Sequence, residues 1–545
     1  MNLRLTATAL LCLFAFSLGC GKSETPANAV STPGSGLSAD TIASIHWRGK
    51  KDLGIISGAY YLLRLWNLGE STTLEKQTLD KLSSAPWRWL HGEAEGTNEY
   101  HFLLRPLLDD VLREESYFEM RQPANQPGET VFAIRLDERR AGVWETNLAN
   151  VLNSLAGAWP LGSADHGWTL QRQQNPKLIE LVRAGDWTLI GVADAQNHLL
   201  RQVAQRVATS PDPFGTKASD HWLEAHLKLQ RIHPVRANAP GGGLPMISLA
   251  VSGDGGNVLV HGTLDFPQPM PGRLGDWTFP TNRIREPMVS LAAIRGIQPW
   301  LSSCKFWTDL QPGAAPDQFY SWAPDGVLYQ LYVGAPVQDA MDRVHALNRW
   351  LLETANPWLG AHATGQFEQA PDGSGAMWTG LPLIAPSVRA VDGGKFLLSA
   401  LLPKVMPGTN TQAGLYEKPS LDSLLGEIMG ETNLLAYHWE MTGPRIESWL
   451  FLGQTLSVAF RHGALPFECA SVEWLKVIKE RVGNCTTRLS RTGPNQLTFD
   501  RKSTIGLTGA ELNLLADWLE SPAFPRGLYS TLTPPPQPAL GGKAQ

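Results

Sequence analysis

The chain has 545 residues, 43% hydrophobic and 18% charged, the profile of a globular protein and not of a disordered or fibrous one. Its net charge of −5 is small for that length, and Lys and Arg are scattered among acidic neighbours, so the basic stripe needed to bind a phosphate backbone is missing and no nucleic-acid partner is expected. Of five cysteines, Cys12 and Cys20 fall near the start; Cys304, Cys469 and Cys485 remain as three free thiols or as one disulfide, with Cys469 and Cys485 the nearest pair.

Taken in order, residues 1–20 have the three parts of a secretory signal: Arg4 in the n-region, an uncharged apolar run from Leu5 to Leu18, and small Gly19 before Cys20. Only 15 residues separate Arg4 from Cys20, fewer than a membrane-spanning helix needs. A cysteine directly after a small residue at the end of such a run resembles the lipobox of bacterial lipoproteins, with Leu18 and Ser17 inside its looser form. That resemblance implies export, acylation of Cys20 and attachment to a membrane of the cell envelope, facing the periplasm. Gly21, where Asp would favour the inner membrane, points to the outer one. An ordinary cleaved signal, giving a soluble periplasmic protein, and an uncleaved anchor stay open as alternatives.

Residues 21–39, rich in Ser, Thr, Pro, Gly and Ala, cannot bury enough surface to fold and read as a flexible tether. Residues 40–99 read as an N-terminal helical segment, in which Thr72 and Glu75 form a capping-box pattern and Pro86 stops the helix. Phe102 to Gln122 is expected to pass from helix to strand, and Asn125 to Gly128 to turn. Alternation in Val131–Asp137 predicts a strand; Trp144, Leu148, Val151, Leu152 and Leu155 predict a helix. A strand near Trp168, a hairpin turning at Ala184 to Asp186 and a helix carrying Leu199, Val203 and Val207 come next. His221 to Gln230 reads as a strand, and Met246 to Phe266 as a hairpin.

The same order recurs downstream. Pro287 to Trp307 matches the helix-to-strand segment, Gln318 to Val333 gives two strands, and Ala340 to Leu351 gives a helix ended by Pro357. Hairpins at Gly365 to Gly380 and Ser387 to Leu402, a strand at Leu434 to Met441 and a hairpin at Cys485 to Phe499 complete it. The expected fold is therefore α+β, mainly antiparallel, with two copies of a strand-helix-hairpin module at 100–282 and 283–508 behind the helical segment. A capped C-terminal helix, at 509–530 with Thr508 and Glu511 at its start, and a Pro-rich disordered tail at 531–545 close the chain.

Candidate chemistry is thin. His221, Glu224 and His226 suggest a zinc protease, but the histidines are five apart where the helical motif needs four, so no metal site is expected. Ser302 and Lys305 have the Ser-x-x-Lys spacing of penicillin-recognising enzymes without the elements that should accompany it. No G-x-S-x-G elbow, phosphate loop, dinucleotide fingerprint or EF-hand loop occurs, and no cofactor is expected. Asp254 and Asp372 sit in Gly-rich turns that Asx chemistry explains. Twenty tryptophans are the compositional oddity: Trp87, Trp89, Trp322 and Trp378, in or beside loops, are candidate sugar-stacking platforms, while Trp144, Trp350 and Trp518 fall on buried stripes.

The strings APWRWL at Ala85, LRPLLDDVLREESYFEMRQP at Leu104, GNCTTRLSRTGPNQLTFDRKS at Gly483 and ADWLESPAFPRGLY at Ala516 together resemble an uncharacterised family of secreted or lipid-anchored proteins from Verrucomicrobia-like bacteria. The resemblance implies a location and no activity. The reading that emerges is a non-catalytic envelope lipoprotein that binds a protein or another envelope ligand; an envelope hydrolase and a glycan-binding module are the alternatives.

Overall fold

The computed structural model describes residues 38–91, 101–123, 127–156, 161–163, 167–172, 175–194, 196–214, 220–232, 243–302, 314–325, 330–370, 373–381, 383–403, 418–459, 468–521 and 524–525. The signal, most of the tether, Asp372, Ser303 to Lys305, Cys304 among them, and the C-terminal tail lie outside them. The described residues divide into two compact units, an N-terminal one ending at Pro267 and a C-terminal one beginning at Gln268. The fold is α+β, and within each unit the strands pair antiparallel.

The N-terminal unit carries ten strands among its described residues: β1 (Thr41–Trp47), β2 (Ser116–Arg121), β3 (Glu129–Arg135), β4 (Leu161–Ser163), β5 (Gly167–Arg172), β6 (Asn175–Ala184), β7 (Trp187–Ala193), β8 (Leu223–Lys228), β9 (Met246–Gly253) and β10 (Val258–Asp265). Their spatial order is β10-β9-β8-β1-β2-β3-β7-β6-β5-β4. The C-terminal unit also carries ten: β11 (Met288–Arg295), β12 (Gln318–Pro324), β13 (Leu331–Pro336), β14 (Gln366–Gln369), β15 (Gly375–Thr379), β16 (Ile384–Val391), β17 (Phe396–Pro403), β18 (Leu434–Met441), β19 (Asn484–Arg491) and β20 (Gln496–Ser503). Their order is β20-β19-β18-β11-β12-β13-β17-β16-β15-β14. Adding ten to each strand number converts the first order into the second. A register shift between Thr41 and Ala43 on β1 recurs between Met288 and Ser290 on β11.

Several expectations need correction. Thr41–Trp47 is a central strand, not part of a helical segment; its apolar residues Ala43, Ile45 and Trp47 alternate with Ser44 and His46, and sheet pairing outweighs the helical character of the residues after it. The first sheet thus starts at residue 41, and Met288–Arg295, strand before helix, matches β1 and not the helix-to-strand segment. Pro86 lies inside the helix Gly69–His91. Hydroxyls of Ser83 and Ser84 and the Arg88 guanidinium take carbonyls of Asp80 and Lys81 from the turns before them, which supplies hydrogen bonds around the proline interruption. Thr72 and Glu75 also sit inside that helix: Thr72 donates to Gly69 O, and Glu75 accepts from Lys50 and Trp66. Pro357 does not end the helical run: the helix Asn356–His362 follows without a break on the π-helical turn Leu351–Ala355, a widened turn directly before the proline.

Other elements fall where periodicity places them. The helix Glu138–Ala156 puts Trp144 against Leu107, Ile134 and Leu136, and the helix His198–Thr209 puts Leu199, Val203 and Val207 against Val131, Ala133 and Leu189. Thr508 and Glu511 make both halves of a capping box on the helix Gly509–Glu520. The largest core of the C-terminal unit gathers Tyr320, Trp322, Tyr437, Trp439, Leu424 and Ile428, each large side chain contributing roughly 1.5–3 kcal/mol relative to exposure. Cys469 and Cys485 are free thiols.

Candidate functional site

Residues directly opposite in antiparallel strands share a face, so the ladders define what each side of a sheet presents. In the N-terminal unit His46 lies opposite Tyr117 and Glu224, and Ser44 opposite Glu119 and His226. The rows continue through Ala250 to His261 and through Ser248 to Thr263. One face therefore carries Tyr117, His46, Glu224 and His261 in one row, and Glu119, Ser44, His226, Ser248 and Thr263 in the next.

With the shared register shift as anchor, the same positions of the C-terminal unit are apolar across their centre. Ala293 stands for His46, Leu291 for Ser44, Trp322 for Glu119, Tyr437 for Glu224 and Trp439 for His226. The opposite face shows the reverse. The N-terminal unit fills it with Ala43, Ile45, Ala225, Leu227, Ile247 and Leu249, where the C-terminal unit has Ser290, Ala292, His438, Glu440, Cys485 and Thr487. Each unit has one polar and one apolar face about its central strands, and the faces are exchanged.

The polar layer of the C-terminal unit has an evident structural task. Glu440 accepts the N–H of Gly509 at 2.7 Å, holding the first residue of the helix Gly509–Glu520. Arg501 is bidentate to Glu511 at 2.6 and 3.1 Å and donates to Gly506 O and Thr487 Oγ1. His438 Nε2 stands 3.5 Å from Glu440 Oε2, with 25% of its side chain exposed. Burial, then the charges of Arg501 and Arg445, push its pKa down to about 3, while burial raises that of Glu440. Folding thus favours neutral His438, and the unfolded chain binds the extra proton below about pH 6.5. Relative to His438→Asn, the wild-type chain should lose about 2 kcal/mol between pH 7 and pH 5. The raised Glu440 pKa acts with opposite sign in that window and cancels from this comparison. Urea melts of both chains at both pH values check it; identical pH slopes would contradict it.

The polar face of the N-terminal unit graduates from buried to open. Glu119 is fully buried and accepts from Thr41 Oγ1 at 3.0 Å, Tyr117 Oη at 2.7 Å and Arg121 Nε at 2.6 Å. Burial, then the Glu119 charge, raises the Tyr117 pKa, so the phenol remains a donor. Phe214 stacks on Tyr117 at 4.0 Å, and Ser44 and His46 are buried with them. Further along, Glu224, His226, Ser248 and His261 are only half-buried. The hydrogen bond with His221, 2.8 Å away, holds the Glu224 carboxyl below the usual carboxylate range. Burial lowers the pKa of His226, whose Nδ1 is 3.0 Å from Ser248 Oγ. The half-open rows offer a neutral imidazole, a carboxylate and hydroxyls, a set that recognises polar ligands by hydrogen bonding.

The other candidate residues fall elsewhere. Trp87, Trp322 and Trp378 are buried: Trp87 against Leu103 and Val151, Trp322 stacked on Tyr332 at 5.2 Å, and Trp378 donating to Thr364 O at 3.1 Å. None can stack on a sugar, because these rings sit on strand or helix faces directed into cores. The Trp89 side chain and Cys20 lie outside the described residues. Asp254 forms the expected Asx turn, accepting from the N–H groups of Gly256 and Asn257. Among the described residues no group of three His, Cys, Asp or Glu converges as a metal site, and no helix is long and apolar enough to cross a membrane. No family model, curated protein or solved structure matches the chain.

Proposed function

We propose that this protein is a non-catalytic, exported binding protein of the cell envelope, anchored through acylated Cys20, and that the half-open face around Glu224, His226 and Ser248 receives its ligand. The observation that carries the reading is the exchange of polarity between matched strand positions. A sheet whose fold is satisfied by Tyr437 and Trp439 in one unit has no architectural need for half-buried Glu224 and His226 at the matched positions of the other. The identical strand orders support descent of both units from one duplicated module, which makes that comparison like for like. A buried polar cluster costs stability unless fully paired, so its retention on a face that opens outward favours recognition.

An envelope protein is the favoured ligand, since the three described tryptophan candidates for glycan stacking are in cores. The resemblance to secreted or lipid-anchored proteins of Verrucomicrobia-like bacteria supports the location, and the lipobox-like Gly19-Cys20 supports the anchor. Labelled palmitate is expected to enter the wild-type chain and not Cys20→Ala. Equal labelling would remove the anchor and leave a soluble periplasmic protein.

The hydrolase reading retains one specific observation, the contact of 3.0 Å between His226 Nδ1 and Ser248 Oγ. A serine-directed fluorophosphonate is expected to leave Ser248 unmodified, because among the described residues no carboxylate is seen orienting His226 from its other nitrogen; stoichiometric labelling of Ser248 would revive that reading.

A further inference from the structure

We propose that Gly54 to Tyr61 forms a braced apolar tip that inserts into the surface of the membrane carrying the lipid anchor. Ile55 is 83% exposed and Tyr60 65%, the two most exposed large apolar side chains among the described residues. Fully buried Leu53 lies two residues before Ile55 and fully buried Ala59 directly before Tyr60, so each exposed side chain adjoins a fixed base. Between them the segment turns through a short 3-10 helix, Ser57–Ala59.

The base is held by backbone. Gly255 N donates to Gly58 O at 3.0 Å, and Tyr61 N donates to Gly255 O at 3.1 Å. A Cβ on Gly58 would fall 2.4 Å from Gly253 O, and one on Gly253 would fall 2.4 Å from Gly58 O and 2.6 Å from the Trp222 ring. Only glycine lets the two loops approach this closely. An isoleucine held out in water by such a brace forgoes its burial energy in the free protein, and that energy is recovered where a hydrocarbon boundary meets it.

Charge and reach select a membrane as the occupant. Among the cations flanking the tip, Lys50 is taken up by Glu75 at 2.9 Å and is 19% exposed. Lys51 is 60% exposed even while paired with Glu114, and Arg64 is exposed. Basic residues flanking an apolar tip suit an anionic lipid surface. The tether supplies the geometry: β1, about 20 Å long, separates its exit at Ser38 from the tip. Eighteen residues, Gly21 to Ser38, join Cys20 to that exit, and a chain of that length reaches at most about 60 Å. An acyl chain on Cys20 and the tip can therefore occupy one bilayer together, each raising the effective concentration of the other. Two weak attachments then act as one strong one.

This inference rests on the anchored reading above, and its test separates the two. The full chain is mixed with protein-free vesicles of phosphatidylcholine and phosphatidylglycerol at about 3:1. Flotation is measured together with amide exchange in residues 54–61. Exchange there is expected to slow about tenfold on vesicle binding. In a Cys20→Ala background, Ile55→Asp/Tyr60→Asp is expected to reduce the residual floating fraction about fivefold or more. Wild-type flotation with unchanged exchange at the tip overturns the tip and leaves the anchor. No flotation of any chain overturns both. Protection that needs added envelope proteins overturns the membrane assignment in favour of a protein partner.

Discussion

Replacing Arg501 with Met should destabilise the C-terminal unit by about 3–5 kcal/mol, because it removes one partner of a buried ion pair and keeps the other. Arg501 is almost wholly buried and bidentate to Glu511, which also caps the last helix by accepting the Thr508 N–H. Gly506 O and Thr487 Oγ1 lose a donor in the same change. Met approximates the volume of the lost side chain, so cavity formation contributes little and the loss reports the unpaired carboxylate. Adding Glu511→Gln, which neutralises the orphaned charge while keeping an acceptor for the cap, should recover about 1–2 kcal/mol. Urea melts of the three chains measure both effects. A single variant within about 1 kcal/mol of wild type would show that the layer does not hold the helix.

The second large effect is on binding. Glu224→Tyr/His226→Trp installs in the N-terminal unit the residues found at the matched positions of the C-terminal unit, Tyr437 and Trp439. Both sites are half-buried, so larger side chains can extend outward and stability should move by less than about 1 kcal/mol. The Glu224 carboxylate and the His226 imidazole are two of the three ionisable groups of the open rows, His261 being the other. Their removal should lower affinity for the ligand at least about tenfold, the worth of one charge-assisted hydrogen bond lost from an interface. A structural role alone would reverse that pattern, with stability lost and binding kept.

Much of the architecture is legible in the sequence. Helices and hairpins with strong periodicity, such as Glu138–Ala156, His198–Thr209 and the hairpin of β6 and β7, fall where the pattern of apolar residues places them. The capping box at Thr508 is complete. β1 escapes, because its seven residues are succeeded at once by a long helical stretch whose pattern dominates the region. Its alternation, Ser44 and His46 against Ala43, Ile45 and Trp47, is the signal that could have found it. Without β1 the first sheet starts too late and loses two of the residues that build the candidate site.

The site itself is half visible. His221, Glu224 and His226 stand out as a failed metal motif, and the structure uses them otherwise: Glu224 and His226 share a face, and His221 precedes the strand and pairs with Glu224. The contribution of Ser248 and His261 depends on the pairing of β8, β9 and β10, which no local window of sequence contains. The tryptophans mislead for a physical reason. A ring beside a turn can fold back into a core, as Trp378 does against Leu359 and Leu381.

The central claim is that the polar face of the N-terminal unit meets a ligand. It is tested most directly by placing a photo-crosslinking side chain at Ala250, midway between Glu224 and His261 in the open row, and irradiating the protein in the native envelope. The same probe at Leu514, exposed in the C-terminal unit, serves as control. A discrete adduct at 250 that is absent at 514 and disappears in the Glu224→Tyr/His226→Trp background is the predicted result. Equal adducts at both positions, or an adduct at 250 that survives the double substitution, would contradict it.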